Sequence, residues 1–459
     1  MKYNDIEIND SNIYALVDCN QFFVSCERVF APHLEGMAVG VLSNNDGCLV
    51  ALSPELKALG VVRGTPGFKI RETIGNQKIY LFSSNYELYA DMSSRVMTIL
   101  SSMADEIEVY SVDEAFLLFK NLHSNFDLYN YAQEIKARVR RETGIPISIG
   151  LARTKTLAKI ANKVAKKSMS GICELLRQDI IDETLPKIFV GDIWGIGRQH
   201  LKRLTKYGIY SAEDLLNYSV QKVRKEMSVT GERTLLELKG VPCIGIEEAP
   251  TTKSLVHSRS FGKPISNFKD LLESITSYTT RAIAKLRRKN LVAKNLTIFI
   301  TTNPFKDTKQ YANFATGVLF DYSAYTPDFI NLSTELLKKI YKEGYSYKKS
   351  GVMLTDIIKL DKIQPTLFTN SSINLCHQSC MENITSISHP PSSIREFSCN
   401  TYGDDKRHKV MEALDNINNK YGKEKVFYAS NGIQKNWDMK REMVSPRYTS
   451  RWKELMVVR

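Results

Sequence analysis

Apolar residues in the first 170 positions fall into short runs separated by turns, and their spacing switches between two periods. "IYALVDCNQFF", starting at Ile13, is an apolar run that ends in Asp18, breaks, and resumes at Phe22 and Phe23. It predicts a buried strand whose C-terminal end presents a carboxylate, followed by a helix start. A second apolar run, Val39 to Leu42, precedes the turn-rich "SNNDG", and a helix is expected around Glu55 to Leu59, stopped by Gly60. In "SSNYELYADMSSRVMTILSSM" the residues Leu88, Met92, Val96, Ile99 and Met103 recur at helical spacing, a stripe suited to a core. "IEVYSVDEAF", residues 107 to 116, alternates like a half-buried strand yet sets two acids, Asp113 and Glu114, side by side. A helix near 127 to 142, the strand "IPISIGLAR" and the basic helix "KTLAKIANKVAKK" complete the stretch.

This order of elements predicts an α+β domain with a small, largely antiparallel sheet. Residues from about 173 to 245 read as all-helical and include "WGIGRQHLKRLTKYGIYSAEDL". A second mixed segment follows, from about 250 to 355, in which Leu296, Ile298 and Ile300 share one strand face. Past residue 357 the composition turns to Ser, Asn, Thr and Pro, a linker, and the basic "SPRYTSRWKELMVVR" closes the chain.

Composition narrows the class. With 459 residues, 43% hydrophobic, the chain can build three or more domains with real cores. Lys and Arg number 63 against 50 Asp and Glu, a formal charge of +13, which suggests a polyanionic partner: nucleic acid or an anionic membrane surface. No apolar run approaches the ~18 residues of a membrane span. The polar start "MKYNDIEINDSN" is no secretory signal, and eight cysteines without framework spacing fit reduced thiols in the cytosol. Cys376 and Cys380, with His389 and Cys399, miss the usual zinc-knuckle spacing.

Asp18, Asp113 and Glu114 sit at the ends of two expected strands, and if those strands are neighbours the three carboxylates converge. Each such pair at ~4 Å repels by about 4 kcal/mol at an effective dielectric of ~20. Such a cluster persists by protonation, by pairing with Lys or Arg, or by binding a hard cation. Oxygen-only donors favour Mg²⁺ over zinc, and two such ions are the requirement of phosphoryl transfer. On the basic helix Lys155, Lys159, Lys163 and Lys167 form a ridge that an anion could relieve, although a solvated face is the simpler account. "GIG" at 195 to 197, followed by "RQHLKRLTK", suits a helix-hairpin-helix turn whose backbone amides meet DNA phosphates.

Taken in order, "VDCNQFF", "SNNDGC", "SSNYELYADMS", "YSVDEAF", "GLARTKTLAKIAN" and "WGIGR" resemble the landmarks of Y-family, lesion-bypass DNA polymerases. "SNNDGC" and "SPRYTSRW" resemble the UmuC branch, that of the catalytic subunit of bacterial DNA polymerase V. The resemblance runs from about residue 13 to the C-terminus and leaves residues 1 to 12 outside as an extension. It implies a right-hand architecture: palm (13–32 and 80–172), small fingers (33–79), thumb (173–245), little finger (250–355), linker (356–394) and C-terminal segment (395–459). It implies that Asp18, Asp113 and Glu114 are catalytic and hold two Mg²⁺ ions, with the Cys19 carbonyl completing a metal shell. Phe22 and Phe23 would lie at the nucleotide, Phe23 as the steric gate against a 2′-OH, with Phe22 also able to serve the core. Lys159 would contact the triphosphate and Gly195, Gly197 and Arg198 the DNA. The chain departs from the family at the fingers, where Pro54 and Lys57 replace a Tyr-x-x-Arg pair; Lys57 supplies charge without the bidentate fork. "QPTLF", with Gln364, Leu367 and Phe368, resembles a sliding-clamp docking peptide. The implied function is error-prone translesion synthesis in the SOS response, in the bacterial cytoplasm at the nucleoid. The implied partners are primer-template DNA, dNTPs, the clamp, a cleaved UmuD-like dimer and the RecA filament, with no membrane. A catalytically silent DNA-binding scaffold is the alternative.

Overall fold

Five strands form the sheet on which the acids stand: β1 (Ile13–Cys19), β5 (Glu106–Val109), β6 (Glu114–Phe119), β7 (Ile147–Ala152) and β8 (Ile172–Leu175), in the order β5-β6-β1-β7-β8. Only β7 and β8 run parallel. The intervening β2 (Val39–Leu42), β3 (Leu49–Leu52) and β4 (Tyr80–Ser83) make a separate three-stranded sheet, β3-β2-β4. The computed structural model describes residues 12–122, 126–247, 252–363, 402–422, 424–433, 435 and 437–456. The chain divides into two compact units, one formed by residues up to 250 together with those from 441 onward, the other by 251–440.

The large sheet is buried on both faces, and strand alternation sorts its residues. Ala15, Val17 and Cys19 of β1 and Ala115, Leu117 and Phe119 of β6 share a core with α1 (Phe22–Phe30), α4 (Tyr86–Ser101) and α5 (Leu128–Thr143). Tyr14, Leu16, Phe116 and Leu118 point the other way and share a core with α6 (Lys155–Ala165). Helix α6 comes close to the sheet at Gly150, where a Cβ would collide with the backbone at Ala158, Ala161 and Asn162. Thr154 caps its first turn by accepting from the Leu157 amide.

In the small sheet, α2 (Pro54–Ala58) starts from a Ser53 cap that accepts from the Leu56 amide, with Pro54 at the first helical turn. There the missing amide of proline removes no helical hydrogen bond, so Pro54 has a structural reason to stand in place of a hydroxyl-bearing residue. A further helix, α3 (Gly67–Ile74), packs Ile70 and Ile74 into the same small core. The parallel pairing of β4 with β2 puts Tyr80–Ser83 with this sheet, although the sequence division places residue 80 onward in the palm. Conversely β8 belongs to the large sheet, beyond the expected palm limit at 172.

Helices α7 (Gln178–Thr184), α8 (Arg198–Lys206), α9 (Ala212–Leu216) and α10 (Val220–Leu238), the last broken at Ser228, form the expected all-helical region. The second unit holds an antiparallel sheet, β11-β10-β12-β9, from β9 (Leu255–Ile265), β10 (Leu291–Thr302), β11 (Ala312–Ser323) and β12 (Tyr347–Lys359). Helices α11 (Phe268–Arg288) and α12 (Thr326–Ile340) pack on it, and Leu296, Ile298 and Ile300 lie in that core as their alternation requires. Helix α13 (Tyr402–Tyr421) and the residues to 440 add to this unit. Arg287 grips Asp415 with two bonds of 2.7 and 2.8 Å, and Trp437 is buried edge-on against Tyr278. Among the described residues no helix is long and apolar enough to cross a membrane.

Candidate active site

Asp18, near the end of β1, lies directly opposite Glu114, the first residue of β6. By alternation both belong to the face of the sheet that carries Leu16 and Phe116, the face toward α6. The apolar columns thus end in two acids over a helix rich in lysine. Lys166 Nζ, just past the end of α6, lies 2.6 Å from Asp18 Oδ2, and Lys159 Nζ lies 3.0 Å from Glu114 Oε2. Asp18 is only 6% exposed. Burial pushes its carboxyl up to about 7 against the opposing charge and hydrogen bond of Lys166. Glu114 moves the other way: burial disfavours its ionisation, but the Lys159 hydrogen bond and charge outweigh it and hold the carboxyl below its usual range.

Asp113 does not join them. It precedes β6 in a bend, where Ser111 Oγ donates to Asp113 Oδ1 at 2.6 Å and accepts from the Glu114 amide at 3.0 Å. Its carbonyl accepts from the Cys19 amide at 2.8 Å, which ties the bend to β1. Held in the bend by Ser111, Asp113 stands outside the cross-strand register, which brings two of the three expected carboxylates face to face. Among the described residues no three or more His, Cys, Asp or Glu side chains form a metal cage. The donor chemistry still suits a hard divalent cation, because two carboxylates meet side by side and the Cys19 thiol is packed into the opposite core.

The lysine ridge is not a solvated anion track. Lys155 is fully buried and pairs with Glu108, Lys159 pairs with Glu114, and Lys163 pairs with Asp192; Lys167 lies beyond the helix end. Lys159 also sits over the rings of Tyr110, at 4.3 Å, and Trp194, at 5.7 Å, and Trp194 Nε1 donates to the Tyr110 hydroxyl. A cavity of about 270 Å³ opens here, lined by Glu114, Lys159, Lys166, Asp192 and Trp194 among others. Lys166 was missed by the four-residue spacing because it caps the helix instead of continuing the ridge.

Phe22 is buried in the core of the α1 face, and the half-buried Phe23 stacks on Tyr89 at 4.4 Å with rings 15° from parallel, while Tyr86 meets it edge-on at 6.1 Å. Gln21, held in the left-handed region at φ 41°, turns the chain from β1 into α1 and so sets where Phe23 emerges. Lys57 is exposed on α2, which Arg28 of α1 anchors through Glu55 at 2.9 Å. In the helical region Gly195 has φ +90°, Gly197 caps α8, and Arg198 is exposed at its first position. Gln364, Leu367 and Phe368 lie outside the described residues, as do Cys376, Cys380, His389 and Cys399.

Comparison with known proteins bears directly on this arrangement. Residues 17–163 match the impB/mucB/samB family and residues 252–367 its C-terminal domain. Protein UmuC of Salmonella typhimurium is 39% identical over 452 residues, covering 97% of this chain and all of that protein. The chain belongs to the impB/mucB/samB family. Protein MucB of Escherichia coli is 34% identical over 450 residues, 97% of this chain and 99% of that one. DNA polymerase IV of Ureaplasma parvum is 24% identical over 367 residues, 78% of this chain and 98% of its own. The fold matches a chimaeric Y-family DNA polymerase with a TM-score of 0.59 at 22% identity, over 76% of this chain and 99% of the other. A Dbh ternary complex gives 0.51 over the same shares. A domain of unknown function matches residues 408–458, which takes in most of α13 and the segment from 441 that belongs to the first unit.

Proposed function

We propose that this chain is a template-directed DNA polymerase that copies damaged templates by two-metal nucleotidyl transfer. The observation that carries the reading is the cross-strand Asp18–Glu114 pair, neutralised by Lys166 and Lys159, within the stretch that matches the family. In the reaction the primer 3′ oxygen bonds to the α-phosphorus of the incoming nucleotide as the bond to pyrophosphate breaks. Two Mg²⁺ ions, when bound, would favour the ionised primer hydroxyl and neutralise the leaving pyrophosphate. Asp18, Asp113, Glu114 and the Cys19 carbonyl would hold them. Lys166 and Lys159 place positive charge beside these carboxylates and so beside an incoming triphosphate, with Lys57 a weaker contributor from α2. Phe23, stacked flat on Tyr89, is the sugar-selecting wall; Phe22 supports it from the core.

In this reading the chain runs through palm, fingers, thumb and little finger, with β4 assigned to the fingers because it pairs with β2 and β8 to the palm because it pairs with β7. Gly195, Gly197 and Arg198 at the start of α8 meet DNA phosphates in this reading. Gln364, Leu367 and Phe368 tether the chain to the sliding clamp, and the cleaved UmuD-like dimer and RecA filament complete an SOS-induced assembly at the bacterial nucleoid. The silent-scaffold alternative has no observation behind it, whereas the Asp18–Glu114 pair and the likeness to named DNA polymerases both favour an enzyme.

Primer extension tests the reading, on undamaged and abasic templates with Mg²⁺, dNTPs, clamp, cleaved UmuD partner and activated RecA. Extension past the abasic site is expected, and Asp113→Asn should lower it about 1,000-fold or more while leaving DNA affinity unchanged. Normal turnover by Asp113→Asn would overturn the metal assignment. An absence of extension with DNA still bound would overturn the polymerase.

A further inference from the structure

Residues 441–456 return to the first unit and dock beside the wall that carries Phe23. Met443 exchanges two bonds with Ser83, its amide donating to Ser83 Oγ at 3.0 Å and its carbonyl accepting from the Ser83 amide at 2.9 Å. The buried Asn85 side chain, at the start of α4, donates to the Ser445 carbonyl and hydroxyl, each at 3.0 Å, while its own oxygen accepts from the Leu88 amide. Tyr448 stacks on Phe30 of α1 at 4.6 Å, and Arg447 pairs with Glu87 of α4 at 2.9 Å. The segment therefore bridges α1 and α4.

At the centre of that bridge is Glu27, 2% exposed, whose Oε1 accepts from the Tyr89 hydroxyl at 2.6 Å and from the Ser445 hydroxyl at 3.0 Å. Among the described residues two neutral hydroxyls, and no cation, serve this buried carboxylate. Each is therefore hard to lose, because a buried polar group left without its hydrogen bonds is costly. Glu27 stands one helical turn beyond Phe23 on α1, and Tyr89 one turn beyond Asn85 on α4, so both face the same seam. Tyr89 in turn is the ring on which Phe23 lies flat.

We propose that Ser445 is a positioning residue for sugar selection: through Glu27 and Tyr89 it fixes the face of Phe23. The C-terminal segment is then part of the nucleotide-selecting wall as well as a surface for partners. The proposal rests on Phe23 being the steric gate. Its ligand consequence is discrimination between deoxyribonucleoside and ribonucleoside triphosphates, since a wall free to tilt admits the 2′-OH.

The test measures kcat/KM for dNTP and rNTP insertion by the full assembly with wild type, Phe23→Ala, Ser445→Ala, Ser445→Thr and the double variant Phe23→Ala/Ser445→Ala. Phe23→Ala should lower discrimination about 100-fold and Ser445→Ala about tenfold, by raising rNTP insertion more than it changes dNTP insertion. Ser445→Thr, which keeps the hydroxyl, should restore it, and the double variant should discriminate no worse than Phe23→Ala alone. Tyr89→Phe keeps the stacked ring and loses only the hydroxyl, so it should match Ser445→Ala and serves if the latter does not fold. If Phe23→Ala relaxes selection while Ser445→Ala and Tyr89→Phe change both nucleotides equally, the segment only stabilises and the proposal is overturned. Unchanged selection in Phe23→Ala would instead overturn the gate reading beneath it.

Discussion

Helices α6 and α8 look alike as sequences, each a short amphipathic stretch carrying several cations, and they differ in what those cations meet. On and just after α6, Lys155, Lys159, Lys163 and Lys166 each reach a carboxylate: Glu108, Glu114, Asp192 and Asp18. On α8, Arg198, Lys202, Arg203 and Lys206 are exposed, and Arg203 donates to the Glu226 carbonyl at 2.6 Å. A count of positive charge gives both helices to DNA. A count of partners ties the α6 cations to carboxylates and leaves those of α8 exposed, where the proposed function puts DNA phosphates. The difference arises because α6 lies over the acidic strand ends, where an unpaired carboxylate would be costly to bury, whereas α8 borders solvent on its charged side.

The largest effect expected from this contrast is at Lys166. Lys166→Ala should reduce insertion about 100-fold, the scale of losing one preorganised charged contact at a reacting phosphate, with DNA affinity within about twofold of wild type. Single-turnover insertion alongside equilibrium DNA binding checks it. A loss of DNA affinity with intact chemistry would make α6 a phosphate track like α8 and erase the contrast.

Lys155 comes next and reports on folding. Its side chain is 1% exposed beside Glu108, which also accepts from the Glu247 amide at 2.7 Å. Lys155→Met leaves that carboxylate in a buried site without its cation, a loss of about 3 kcal/mol. Thermal unfolding of the first unit should fall by roughly 6–10 °C. Lys202→Ala on α8 should leave it unmoved, and equal shifts for the two would mean that burial does not separate the helices.

How much of this was legible follows the range of the interactions. Asp18 and Glu114 could be read from the sequence because a two-residue period is local, and so could the helical stripe of α4 and the buried face of β10. Asp113 was harder to place, because it stands in the bend before β6, where the Ser111 side chain and not a strand period sets its direction. Lys166 was not legible, since its role depends on where α6 ends over β1, 148 residues away in sequence. The pairing of β4 with β2 and the docking of Ser445 on Asn85, 360 residues apart, leave no periodic trace at all. The lysine ridge misled because spacing reports which side chains share a face and says nothing about what that face meets.

The smallest effect is the one that most sharply tests the contrast. Arg198→Ala, Lys202→Ala and Lys206→Ala should each weaken DNA binding only about two- to fivefold, equally for all sequences, because a phosphate contact positions without reading bases. Each should also flatten the dependence of log affinity on log salt by about 0.9, one released counterion per lost contact. Lys163→Ala on α6 is the matched control. Lys163 is about as accessible as a surface residue, 38% exposed in its side chain, but it already has Asp192 as partner. Its removal should leave the salt slope unchanged, since no counterion is released from DNA by a lysine that an aspartate holds. A slope change at Lys163 equal to that at Lys202 would show that exposure, and not pairing, decides which cations DNA can use.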